Sequence, residues 1–140
     1  MKIASRFPIA VHTLLCIGRF ADAQRVTSEF IASSVNVNAA VIRLVLQKLK
    51  AAGFVEVERG VGGAHLIQDP ATITLLDIYR AVESVEGSLF GFHDNPNPAC
   101  PVGRAIEPLL TTKLDEAQNA LEESLAQTTL ADLLSQIDDA

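Results

Sequence analysis

The stretch Glu58-Arg59-Gly60-Val61-Gly62-Gly63-Ala64-His65 sets one guanidinium ahead of three glycines, and earlier in the chain Arg43 follows the small residues Ala39 and Ala40. Glycine lets a backbone come close to a ligand, and an arginine beside it supplies the charge that a narrow DNA minor groove attracts. An arginine on a helix face cleared by alanines has the reach and the two-pronged geometry to read a guanine edge. A third group, Cys100-Pro101-Val102-Gly103-Arg104, places a thiol just ahead of a helix start, where the N-terminal dipole favours a thiolate. A phosphate-binding loop is the weaker reading of the glycines, because no GK[ST] and no helix follow them. No Ser-His-Asp set, carboxylate pair or metal-spaced cluster can be named, so the chain is not expected to be an enzyme.

These groups need elements to position them. Phe7, Ala10, Val11, Leu14 and Leu15 recur at helical spacing and predict a first helix. Thr27 followed by Glu29 reads as the capped start of a short second helix over about residues 28–34, and Val35-Asn36-Val37 favours a turn. A third helix then runs from Asn38 until Gly53 stops it, with Ile42, Val45, Leu46 and Leu49 as its buried stripe. The opposite face carries Asn38, Ala40, Arg43, Gln47 and Lys50. That pattern is a helix-turn-helix whose second helix suits the major groove, although the face alone would equally suit plain solvent. Residues 54–58 and 64–67 alternate as two strands, with Arg59 to Gly63 as the hairpin tip.

Downstream, Thr74 and Asp77 form a capping pair for a fourth helix. A Gly-, Pro- and Asn-rich segment leads to a long helix over about residues 102–127, where Pro108 must lie in the first turns or kink it. Ile106, Leu110, Leu114, Ala117, Leu121 and Leu125 give that helix a seam suited to a second copy of the chain. A small capped helix follows Thr129. The expected fold is mainly α with a small β-hairpin wing: a winged helix-turn-helix plus a long C-terminal dimerisation helix. Residues 1–83 make the DNA-binding region, 84–101 an irregular sensor-like loop, and 102–140 the dimerisation and C-terminal helices, all within one compact domain.

The 140 residues carry a net charge of -6, unevenly spread. Through Leu66, eight cations face four anions, a balance of +4; from Ile67 onward three face thirteen, a balance of -10. Screening beyond about 8 Å lets a polyanion feel the basic half locally. Two cysteines, Cys16 and Cys100, make no disulfide framework, and Cys16 reads as a buried small hydrophobe. The N-terminal residues imitate a secretory signal, but His12 and Arg19 interrupt the imitation. No apolar run is long enough to span a membrane, and a cytoplasmic location is expected.

Taken together, MKIASRF, LVLQKLKAAGFVEVERGVGGAHL, ITLLDIYRAVE, CPVGR and TLADLL resemble the Rrf-two family of bacterial winged-helix regulators, which includes IscR, NsrR and CymR, and within it a YwnA-like subgroup. The resemblance covers nearly the whole chain. It implies a homodimeric transcriptional regulator, a repressor, bound to a two-fold symmetric double-stranded operator and answering an unidentified small-molecule or redox effector. It places Ala40 and Arg43 on base edges and Arg59 in the minor groove. Thr27, Ser28, Asn38, Gln47, Gly60, Gly62, Gly63 and His65 complete the expected DNA-contacting set. Ala64-His65 stands where cluster-binding members have Gly-Tyr, and Cys100 stands alone where they hold three cysteines. With His93 and Asp94 as its candidate companions, one thiolate is a poor donor set, so no iron–sulfur cluster or other metal is expected. Cys100 is left as a redox or thiol sensor, or as a structural thiol. The rival reading is a protein-interaction module that regulates a metabolic enzyme without binding DNA.

Overall fold

The computed structural model describes residues 5–58, 62–83 and 90–137. In chain order the elements are α1 (Arg6–Phe20), α2 (Ser28–Val35), α3 (Ala39–Ala51), β1 (Val55–Val57), β2 (Ala64–Leu66), a 3-10 turn (Pro70–Thr72), α4 (Leu75–Val82), α5 (Pro101–Ala126) and α6 (Leu130–Leu134). Helices predominate, and β1 and β2 form an antiparallel hairpin in which Glu56 lies opposite His65.

The local chemistry explains each boundary in the N-terminal half. The Thr27 hydroxyl accepts the Phe30 amide at 3.1 Å and starts α2. Asn36 ends it in the left-handed region, at φ 67° and ψ 50°, a conformation that asparagine tolerates better than most residues. α2 and α3 then meet at a bend of 112°, within the range of a helix-turn-helix. Asn38 starts α3 by accepting the Ala40 amide at 2.8 Å. Beyond its end Gly53 takes φ 84°, which a side chain would resist.

Ile42, Val45, Leu46 and Leu49 of α3 are buried, as their spacing predicts. They join Leu14 and Ile17 of α1, Ile31 of α2 and Ile78 of α4 in one core. α6 closes that core from the other end of the chain. Its Thr129 and Asp132 cap it reciprocally, Leu130 is fully buried, and the Leu130 amide donates to the Ile73 carbonyl at 2.8 Å. Leu134 packs so closely on Gly18 that a methyl added there would lie 2.9 Å from it. The C-terminal helix therefore packs on the N-terminal winged unit.

α5 behaves differently. Its 26 residues include Pro108 inside the helix, beyond the first turn, and none of its side chains is buried. Pro108 has no amide hydrogen, so the Arg104 carbonyl one turn back lacks its helical donor. The helix docks on α4, where Arg80 pairs with Glu122 at 3.2 Å. Leu114, Gln118, Leu121, Glu122 and Leu125 are half-buried along the Glu122 flank. The predicted seam is thus divided. Leu114, Leu121 and Leu125 lie on the side facing the chain's own α4, whereas Leu110 and Ala117 are exposed.

Candidate nucleic-acid interface

The buried stripe of α3 fixes what its other side presents. Arg43 and Gln47 stand away from the core, with Ala40 between Asn38 and Arg43 leaving clearance above the helix. Leu44 shares this face and is 61% exposed. Leu44 is not among the contact residues that the sequence pattern singles out. Its spacing from Ala40, one turn away and outside the buried stripe, was the available signal.

Arg43 is not a free cation. Its Nη2 donates to Glu29 Oε1 at 2.7 Å, linking the start of α2 to the exposed face of α3. A hydrogen bond from its own backbone amide, and then the Arg43 guanidinium, hold the Glu29 carboxyl below the usual carboxylate range. Both side chains remain exposed, Arg43 by 55% and Glu29 by 69%.

Three expected contact residues have structural duties. Thr27 and Asn38 spend a side-chain acceptor on capping α2 and α3, while Ser28 opens the first turn of α2. Gly63 is required by the protein's own backbone. A Cβ there would lie 2.6 Å from the Val26 amide nitrogen, and the Ala64 amide next to it donates to the Val26 carbonyl at 2.8 Å. Gly62 is similarly hemmed in by the Glu58 side chain. Gly63 thus lets the hairpin clamp to the segment between α1 and α2, whereas Gly62 lets the hairpin close on its own first strand, roles beyond the flexibility expected of them. Gly63→Ala is expected to lower stability by about 1 to 3 kcal/mol, because backbone cannot move aside as a flexible side chain does. A thermal midpoint equal to the parent's would show that the clamp is dispensable.

His65 Nε2 lies 3.5 Å from Glu56 Oε2 across the hairpin and is half exposed. Arg59 and Gly60 lie outside the described residues. Cys100 occupies the position just before α5 and makes no side-chain capping bond there. Its amide donates to the Asn97 carbonyl at 3.1 Å and its carbonyl accepts the Arg104 amide at 3.0 Å. Cys16 is buried in α1, and His12 donates to or accepts from Ser34 Oγ at 2.8 Å. Among the described residues no three His, Cys, Asp or Glu side chains gather as a metal site, and no single helix is long and apolar enough to cross a membrane.

A short helix, a left-handed turn, a second helix with an exposed mixed face and a hairpin clamped beside them define a winged helix-turn-helix. Comparison with known proteins gives the lineage. Residues 3–136 match the Rrf2 model, described as an iron-dependent transcriptional regulator, and the chain belongs to that family. It is 42% identical over 135 residues to YwnA of Bacillus subtilis, assigned as an HTH-type transcriptional regulator, covering 96% of this chain and 98% of that one. A crystal structure described as that of a DNA-binding protein aligns at TM-score 0.74 and 38% identity, covering 93% and 99% of the two chains. CymR, the global cysteine regulator of B. subtilis, aligns at TM-score 0.71 and 26% identity over 99% of each. The chain is a DNA-binding transcriptional regulator of the winged-helix type.

Proposed function

We propose that this regulator is a cytoplasmic repressor that acts as a homodimer, each copy laying α3 in the major groove of one half-site and its hairpin tip in the adjacent minor groove. The observation that carries the reading is the division of α3: one side fully committed to the core, the other exposing Arg43, Leu44 and Gln47 beside Ala40. Arg43 would read guanine, Leu44 would meet a thymine methyl, and Arg59 would follow the narrowed flank. Selection from a randomised duplex pool followed by titration at several salt concentrations tests it. Specific binding with a steep salt dependence supports the reading, and no enrichment favours an interaction module instead.

The family description invokes iron, but the residues present do not suit a cluster. Cys100 is at the start of α5 and Cys16 is buried within α1, so the segment before α5 offers a single thiolate. Protein prepared without oxygen is therefore expected to be colourless, with DNA binding independent of iron; stoichiometric iron and sulfide would overturn this. The half-buried thiol of Cys100 is the proposed sensing group. Cys100→Ser is expected to keep basal operator binding and lose any response to thiol reagents. An identical response in parent and variant would remove Cys100 from that role.

A further inference from the structure

We infer that Glu29 is a positioning residue for base reading: it holds the Arg43 guanidinium at the angle from which its remaining donors meet a guanine edge. This rests on the proposed docking of α3 in the major groove. The geometry is specific. One Arg43 nitrogen is engaged, at 2.7 Å, and a guanidinium has five N–H donors, so a second edge of the fork is left for two parallel hydrogen bonds. The carboxylate is itself placed by the helix, since Glu29 sits in the first turn of α2. A long flexible side chain is thereby tied to a fixed point on the neighbouring helix.

Stability does not account for the pair. Both partners are more than half exposed, and ion pairs in that setting contribute little to folding. Nor does attraction to DNA, because Glu29 places an anion beside a surface meant for a polyanion. What the contact does supply is order. A free arginine loses rotamer freedom on binding its base, and an arginine already held in place loses less. The price of the anion is weaker attraction to every duplex, whereas the ordering favours only those with guanine in the right place. Glu29 thus raises discrimination more than affinity.

The test uses the full-length protein and the tightest duplex selected from a randomised pool, alongside copies in which each G·C pair is replaced in turn by A·T. Titration at fixed salt is carried out for the parent, Arg43→Ala, Glu29→Gln and the double variant. Glu29→Gln is expected to reduce discrimination at the Arg43-dependent position about five- to tenfold, a fraction of what a bidentate contact provides. Its affinity for the duplex lacking that guanine should stay equal or rise. In the Arg43→Ala background, Glu29→Gln should change discrimination no further. Arg43→Lys keeps a cation for Glu29 but loses the fork, and should also lose the guanine preference.

Two results would overturn the inference: parental discrimination in Glu29→Gln where Arg43→Ala loses it, or an undiminished Glu29→Gln effect without Arg43. If Arg43→Ala itself leaves every base preference intact, the docking of α3 fails instead. Melting temperatures equal to the parent's will show that the exposed substitutions leave the fold alone.

Discussion

Arg43→Ala is expected to weaken binding to the selected duplex about 5- to 150-fold, equal to about 1 to 3 kcal/mol, and to flatten the preference at one position in each half-site. Both parts follow from where α3 puts the residue. Arg43 is exposed, so truncation leaves the core of Ile42, Val45, Leu46 and Leu49 untouched and the loss is confined to the complex. A bidentate contact distinguishes guanine from the other bases through paired acceptors, so its removal acts at one position and not across the site. Arg59→Ala should behave otherwise. Its effect should appear mainly on A·T-rich flanks, where groove width and not a base edge attracts the cation. Unchanged affinity in both variants would sink the proposed docking.

Much of this arrangement was legible in the sequence, for reasons that can be stated residue by residue. The stripe Ile42, Val45, Leu46 and Leu49 declared the inner face of α3, and each of the four is buried. Thr74 with Asp77 announced a reciprocal cap, and both hydrogen bonds are present at 3.0 Å. Such signals are local: they depend on neighbours within a turn or two, and the sequence displays those directly.

What stayed hidden required the fold. Glu29 and Arg43 are 14 residues apart on different helices, and only the bend between α2 and α3 brings them into contact. Gly63 looked like a flexible tip residue, but the nearby Val26 backbone is what forbids a side chain. The seam of α5 needed the fold in another way. Periodicity shows that one flank is apolar without showing how much of it α4 of the same chain already covers.

That division of the seam leads to the variant with the largest expected effect. Twenty-six residues at about 1.5 Å each make α5 about 39 Å long, and it docks chiefly on the short α4. Val102 and Leu109 are each 69% exposed and Leu110 is 41% exposed. Apolar surface grouped on one helix is expensive to leave in water, and a second copy presenting the same flank would cover it around a two-fold axis. Leu109→Glu with Leu110→Glu should therefore abolish the proposed dimer, since four carboxylates would have to be desolvated against one another. The single chain should fold as before, because neither leucine belongs to its core. Operator affinity should fall by about 10² to 10⁴-fold, because the second half-site is then no longer bound at the high effective concentration that linkage provides. Sedimentation equilibrium and duplex titration read the two effects separately. A monomer that retains full affinity would show that one copy suffices for the operator, and a persisting dimer would place the interface on another face.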